Sequence, residues 1–142
     1  MNQVFTVVLT AVVFVSLGVG AMFGLWMSGD DADYVLDEPI GITVTFDFGD
    51  GTEETYDIET VNATVYGALL DAARPEVANL TVRTTYWASF DSILVDTIGH
   101  RTGGDDGMYW IYYVNGGAGM VGADRYRLED GDHVEWRFEG YG

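Results

Sequence analysis

The chain of 142 residues contains no cysteine and no lysine, and both absences limit what it can do. Without cysteine it can form no disulfide bond, thiolate nucleophile or thiolate metal site, and no lipid can be attached through a cysteine. Its basic side chains are arginines alone, six against 23 acidic residues, for a formal net charge of −17. A nucleic-acid partner requires a basic face, so this composition argues against DNA or RNA binding.

The acidic excess also bears on the environment of the protein. A carboxylate-rich surface stays hydrated in concentrated salt, where the Debye length falls from about 10 Å at 0.1 M to about 3 Å at 1 M. The composition therefore favours adaptation to high salt and predicts a halophilic protein. The alternative is a domain that collects cations or binds a basic partner.

The N-terminal part of the chain is almost wholly apolar. Residues 4–27 carry no charge, and the first charged residue is Asp30. About 20 such residues are enough to cross a bilayer, so we expect a single-pass membrane anchor with the rest of the chain on the extracytoplasmic side of the cell membrane. The alternative is a cleaved signal peptide. The predicted organisation is an anchor at residues 1–28, an acidic linker at 29–39 and a folded domain at 40–142.

Two short motifs agree with an exterior location. Asn62-Ala-Thr64 and Asn79-Leu-Thr81 are sequons, which makes Asn62 and Asn79 glycosylation candidates. Such triplets also arise by chance, so their support for export is mild.

Alternating apolar and polar residues predict most of the strands. The pattern is clearest at residues 40–48, which a GDG turn joins to a second strand at 52–59. A helix follows, because Asn62 or Thr64 can cap it and apolar residues recur at helical spacing as far as Pro75. Further strands are expected at 80–87, 93–98, 108–114 and 134–138, with a short extended piece at 125–128. The predicted fold class is α+β, a transmembrane helix followed by a mixed sheet packed on one helix.

One long segment carries a family resemblance. Trp110 to Phe138, WIYYVNGGAGMVGADRYRLEDGDHVEWRF, joins an aromatic strand, a small-residue loop, an acidic GD turn and a second aromatic strand. With the helix TVYGALLDAA at 64–73, it resembles the transcobalamin-like C-terminal domain family, the DUF4430 type, in a haloarchaeal-type, membrane-anchored form. The resemblance implies an extracytoplasmic β-grasp fold, a sheet that grasps one helix. In cobalamin carriers such a domain is one half of a clamp on vitamin B12, so the resemblance makes cobalamin a candidate ligand.

The sequence offers no recognisable catalytic set. His100 and His133 and the few serines show no nucleophile-elbow or triad pattern, so we expect no enzyme activity. Asp47 and Glu53 flank the GDG turn, and residues 105–106 are acidic within a glycine-rich loop, where calcium can find oxygen ligands. Neither stretch has EF-hand spacing. We therefore expect these carboxylates to serve the turns and the surface, with no metal site and no certain cofactor.

The strand at 108–114 places bulky side chains on both of its faces. One set of alternate residues must point to the helix and the other outward, but the sequence does not decide which. The outward set is either a contact surface or covered by neighbouring strands. The glycine-rich loop that follows either offers backbone groups to a ligand or is simply a flexible connection. The candidate ligand-binding residues are Tyr109, Trp110, Tyr112, Tyr113, Asn115, Gly116, Gly117, Met120 and Trp136.

Two functions fit this sequence. The first is a membrane-tethered extracytoplasmic binding module, linked to uptake, for a cobalamin-like or other flat small molecule. The alternative is a non-catalytic accessory or structural subunit of a membrane or cell-surface assembly, with a membrane-protein partner. Ser16, Gly20 and Gly24 favour this alternative, because small residues at four-residue spacing let membrane helices approach each other.

Overall fold

The computed structural model describes residues 35–140, which form eight strands and one α-helix. The strands are β1 (Val35–Asp47), β2 (Glu53–Asn62), β3 (Val82–Trp87), β4 (Ser92–Ile98), β5 (Arg101–Thr102), β6 (Met108–Val114), β7 (Gly117–Ala118) and β8 (His133–Gly140), and the helix is α1 (Val65–Ala72). The first strand begins at Val35, so it includes part of the stretch that was interpreted as a linker.

Five strands form the larger sheet, in the order β2-β1-β8-β6-β7. β1 pairs antiparallel with β2 and parallel with β8, and β8 pairs antiparallel with β6. The register places Phe46 of β1 and Tyr112 of β6 on either side of Trp136 of β8. Because side chains alternate along a strand, this register brings the apolar residues of all three strands to one face.

The other three strands form a smaller sheet, in the order β3-β4-β5. β3 and β4 are an antiparallel hairpin whose last pair is Trp87 with Ser92. β3 is exposed along most of its length, whereas β4 buries Val95 and Ile98 against the core. The smaller sheet therefore contributes β4 to the core and leaves the tip of the hairpin in solvent.

The helix α1 starts where the sequence suggests. The Thr64 hydroxyl accepts a hydrogen bond from the backbone N–H of Gly67 at 2.9 Å, which is N-cap geometry. Val65, Ala68 and Leu69 are fully buried against the larger sheet. The last residue of the helix is Ala72, and the N–H of the C-cap residue Ala73 still bonds the Leu69 carbonyl oxygen.

The core is continuous and strongly aromatic. The Tyr112 and Trp136 rings lie 5.5 Å apart between centroids, and those of Trp110 and Phe138 lie 5.1 Å apart. All four side chains are nearly inaccessible to water. Burial of such large apolar side chains is the main stabilising contribution in a domain that has no disulfide bond.

The predicted fold class is wrong for the described residues. Residues 35–140 are mostly β, in two sheets, and their single helix has eight residues, whereas we expected an α+β fold with one mixed sheet on a helix. The alternating pattern identifies strands, but strand partners depend on residues distant in sequence, so the division into two sheets was not visible. Among these residues no helix is long and apolar enough to cross a membrane. The predicted span at residues 4–27 lies outside the described residues.

Candidate ligand-binding groove

A groove opens between the tip of the β3–β4 hairpin, the start of β6 and the loop that follows β7. Its volume is about 1030 Å³. Its apolar lining includes Trp87, Phe90, Leu94, Tyr109, Met120 and Val121, all of which are exposed to solvent. Phe90 is 68% exposed and Met120 is 89% exposed, so neither side chain stabilises the fold by burial. We call this surface the apolar groove.

Two aromatic rings form one wall of the apolar groove. The rings of Trp87 and Phe90 are stacked, with centroids 5.5 Å apart and an interplanar angle of 22°. Stacking favours this mutual orientation of the two rings although neither is buried. The wall therefore presents a flat aromatic surface to solvent.

The loop at residues 119–122 forms the facing wall and lies directly on the core. A Cβ atom placed on Gly119 would lie 2.1 Å from the Tyr112 ring, and one on Gly122 would lie 1.6 Å from the Ser92 hydroxyl oxygen. The Tyr112 hydroxyl donates a hydrogen bond to the Val121 carbonyl oxygen at 2.5 Å. Burial raises the pKa of Tyr112 to about 12, so the hydroxyl remains a donor at neutral pH. These contacts fix the loop that carries Met120.

Polar contacts hold the loop to the hairpin at the rim. The Ser92 hydroxyl donates to Asp124 Oδ1 at 2.9 Å, and Arg125 donates to Asp91 Oδ2 at 3.0 Å. The Tyr86 hydroxyl donates to Asp91 Oδ1, and this bond together with Arg125 lowers the pKa of Asp91. Asp91 and Arg125 both line the groove, so its apolar surface is bordered by one charged pair.

The structure separates the nine predicted ligand-binding residues. Tyr109 and Met120 line the apolar groove. Trp110, Tyr112 and Trp136 are core residues, 4%, 8% and 2% exposed, and they line a smaller cavity of about 210 Å³ that shares Leu94 and Val121 with the groove.

The other four lie elsewhere. Tyr113 is on the outer face of the larger sheet, where its hydroxyl donates to Glu139 and the Arg137 guanidinium lies 3.9 Å from its ring centroid. Asn115 and Gly116 form the β6–β7 turn, and Gly117 is the first residue of β7. The Asn115 side chain ties this turn to Asp132 and to the backbone N–H of His133. The structure brings none of these four to the groove lining.

Besides Tyr109 and Met120, the exposed apolar lining of the groove includes four residues that are not among the nine predicted ones: Trp87, Phe90, Leu94 and Val121. Trp87 and Phe90 lie at a predicted strand end and in the turn after it. A signal was present, because two large aromatic residues beside a turn are unusual where turns favour small polar residues. Their proximity to Met120, however, depends on tertiary packing.

An acidic cluster lies on the outer face of the larger sheet. Carboxylate oxygens of Asp47, Glu53 and Glu135, all half-buried, lie within 4.8 Å of one another. Asp47 is directly opposite Glu53 in the β1–β2 register. Burial and the charges of Asp47 and Glu135 raise the pKa of Glu53. Arg137 offsets part of the repulsion through an ion pair with Glu135 at 2.9 Å.

Asp47 and Glu53 were recognisable from the sequence because they flank the GDG turn, whereas Glu135 is more than 80 residues away in the chain. The acids near the GDG turn were expected to serve the turn and the surface. Asp50 does serve its turn: bonds from Thr52, and from His100 at 3.1 Å, lower its pKa to about 2.

The residues typical of catalysis have structural partners. Ser92 bonds Asp124, His100 bonds Asp50, and His133 Nε2 bonds the Thr45 hydroxyl at 2.9 Å. These contacts connect turns and strands. The expected lack of enzyme activity remains a prediction.

Comparison with known families assigns the chain to one of them. The model of the family described as "Domain of unknown function (DUF4430)" matches residues 62–140, more than half of the chain. The chain belongs to this family. The family resemblance inferred from residues 110–138 is therefore confirmed, whereas the haloarchaeal, membrane-anchored character stays a prediction. No curated protein sequence matches the chain.

The solved structures that resemble this DUF4430 domain include the following two. One is a protein from Ruminococcus gnavus whose proposed role is metal binding, at 26% identity and a TM-score of 0.59; the match covers 72% of this chain and 99% of that one. The other is haptocorrin in complex with Cbi, at 15% identity and a TM-score of 0.61; the match covers 73% of this chain but 26% of haptocorrin. At 15% identity the second likeness shows a shared fold only.

Proposed function

We propose that this DUF4430 domain is a non-catalytic binding module whose apolar groove takes a flat, largely apolar small molecule. The observation that carries the proposal is the stacked, exposed pair of Trp87 and Phe90, which faces a fixed loop across a groove of about 1030 Å³. Ligand sites typically have volumes of about 300–1,000 Å³ and combine apolar walls with a few polar groups.

Exposed apolar residues are informative in this protein because its surface is otherwise strongly acidic. Contiguous apolar surface in a soluble domain commonly marks a contact site, since its exposure to water is unfavourable. A bound ligand would cover Phe90, Met120 and Leu94 and remove this exposure. The rim pair of Asp91 and Arg125 can orient polar substituents of the ligand by hydrogen bonds.

The ligand class that we favour is a corrinoid. Haptocorrin, which shares the fold, was solved in complex with Cbi. We further propose that the domain acts outside the cytoplasm in a saline environment, held at the membrane through residues 4–27 and linked to uptake. The support for this part is the sequence alone: its apolar start and its net charge of −17.

Titration of the purified full-length chain in molar KCl with cobalamin and with cobinamide tests this proposal. Trp110 and Trp136 are buried, whereas Trp87 lies in the groove, so ligand binding should change the Trp87 fluorescence. The variant Trp87→Phe should lose most of this signal. No saturable change up to about 1 mM ligand would contradict the corrinoid assignment.

A matched pair of leucines tests the location of the site. Leu94 in the groove is 39% exposed, and Leu70 on the helix is 41% exposed. Leu94→Ala should weaken binding by about five-fold, because about 1 kcal/mol of apolar contact with the ligand is lost. Leu70→Ala should leave the affinity unchanged. Equal effects of the two variants would contradict the groove as the site.

A second candidate function is divalent-cation binding at the acidic cluster. The convergence of Asp47, Glu53 and Glu135 favours it, since calcium prefers carboxylate oxygens, and the Ruminococcus gnavus relative has a proposed metal-binding role. Calorimetric titration of the chelator-treated chain with CaCl₂ should show binding that Glu53→Gln removes and Glu59→Gln, on the same strand, retains. Equal heats of binding from the parent chain, Glu53→Gln and Glu59→Gln would refute a cation site at the acidic cluster.

The alternative of an accessory subunit predicts a different behaviour. A structural subunit would bind neither corrinoid nor calcium and would co-purify with a membrane protein after mild detergent extraction. A monomer that binds ligand through the groove would argue against this alternative.

A further inference from the structure

The two sequons, which the proposed binding function does not use, lie in different environments. Asn62 is the last residue of β2 and is half-buried, whereas Asn79 lies in the turn between α1 and β3 and is exposed. N-glycosylation requires that a transferase reach both the asparagine amide and the hydroxyl two residues later, so the difference in access between the two sequons decides which can be modified.

The Asn62 sequon is engaged in the fold. Its Nδ2 donates to the buried carboxylate of Asp71 at 3.4 Å, and the hydroxyl of Thr64 is occupied as the cap of α1. The helix passes so close that a Cβ atom on Gly67 would lie 2.6 Å from the Asn62 Cβ. A glycan on Asn62 would break the amide contact and push against the first turn of the helix.

The Asn79 sequon is presented to solvent. Asn79 adopts a left-handed backbone conformation with φ 56°, which asparagine tolerates better than most residues. Backbone bonds fix the turn: Asn79 N–H to the Arg74 carbonyl at 2.9 Å and Leu80 N–H to the Ala73 carbonyl at 3.0 Å. Within residues 35–140 no hydrogen bond engages the Asn79 side-chain amide. Thr81 is also exposed.

We propose that Asn79 is an N-glycosylation site of the folded domain and that Asn62 is not. The Nδ2 atom of Asn79 forms a bond to C1 of the sugar of a lipid-linked oligosaccharide. The bond from C1 to the phosphate oxygen breaks, its electron pair stays on that oxygen, and the amide proton is released to the phosphate, so nothing is oxidised or reduced.

A glycan on Asn79 is compatible with ligand binding. Asn79 precedes the first residue of β3, and Trp87, at the groove, is the last. At about 3.3 Å per residue, the first and last residues of β3 are separated by about 16 Å. The glycan therefore lies at the opposite end of β3 from the apolar groove.

The test uses the folded full-length chain, a purified oligosaccharyltransferase and a lipid-linked oligosaccharide, with intact-mass and glycopeptide analysis as the readout. Short peptides that carry each sequon are the control, and the enzyme is one that modifies both at similar rates. We expect the folded chain to accept one glycan, on Asn79, with a preference over Asn62 of more than about ten-fold, since Asn62 reacts only after local opening. Asn79→Gln should abolish this glycan.

Two outcomes would overturn the inference: a folded chain that is modified at Asn62 at a comparable rate, or one that remains unmodified while both peptides react. In cells the inference also rests on the proposed extracytoplasmic location. The purified system does not depend on it, so failure of export and failure of the site are distinguishable.

Discussion

The contact between Gly119 and Tyr112 gives a sharp prediction about the wall of the apolar groove. In Gly119→Ala the new Cβ atom would lie 2.1 Å from Cε1 and Cζ of the Tyr112 ring. The ring cannot turn away freely, because it packs at 5.5 Å from the Trp136 ring and 6.1 Å from the Tyr126 ring between centroids. The loop must therefore lift, or the core must shift.

The magnitude follows from two contributions. Overpacking against a fixed core side chain costs about 1–3 kcal/mol. A lifted loop also loses the bond from the Tyr112 hydroxyl to the Val121 carbonyl oxygen, which contributes about 1 kcal/mol. We expect Gly119→Ala to reduce the free energy of unfolding by about 2–4 kcal/mol.

Urea denaturation in concentrated KCl, followed by tryptophan fluorescence, measures this loss. Gly117→Ala is the matched control, because the nearest atom to its new Cβ would be the Val114 carbonyl oxygen at an ordinary 3.6 Å. That variant should stay within about 0.5 kcal/mol of the parent chain. A Gly119→Ala variant within the same margin would refute the reasoning that the loop lies fixed on Tyr112.

Three further predictions concern charge. Glu53→Gln should raise the unfolding midpoint at neutral pH in the presence of chelator. The pKa of Glu53 is raised in the folded state, so the contribution of Glu53 to stability falls as pH rises through the unfolded and then the folded pKa. The gain in midpoint should therefore vanish in acid. Asp71→Ala should cost about 2–3 kcal/mol in urea denaturation, because Thr60 and Asn62 lose a buried charged acceptor; a loss under about 1 kcal/mol would contradict this. The thermal midpoint of the whole domain should rise by several degrees between about 0.1 M and about 2 M KCl in calorimetry, and an unchanged midpoint would revive a specific cation or basic partner.

The strands were predictable from the sequence because their signal is local. Val44, Phe46 and Trp136 are buried at the alternate positions that the period-2 pattern identifies, and Thr64 caps the helix as its position suggests. In β6 the alternation left two arrangements of faces open, and the structure has the one in which Trp110 and Tyr112 are buried.

Sheet membership and the groove were not predictable, because both depend on contacts between distant residues. Phe90 and Met120 meet at one surface through tertiary contacts, which include the bonds of Ser92 to Asp124 and of Arg125 to Asp91. Each of these bonds joins residues more than 30 positions apart. Aromatic content alone favoured Trp110 and Trp136 as ligand-binding residues, but both are buried in the core.

The same side chain can serve the core from one side and the groove from the other. Tyr112 packs its ring against Trp136 and uses its hydroxyl to hold the loop that carries Met120. A variant at Tyr112 therefore alters stability and ligand affinity together, and its effect on binding cannot be attributed to contact with the ligand. Residues that are exposed in the groove, such as Phe90 and Leu94, contribute less to folding than the buried Tyr112. Affinity changes in their alanine variants report on ligand contact, which is why the decisive test of the site uses Leu94 and not Tyr112.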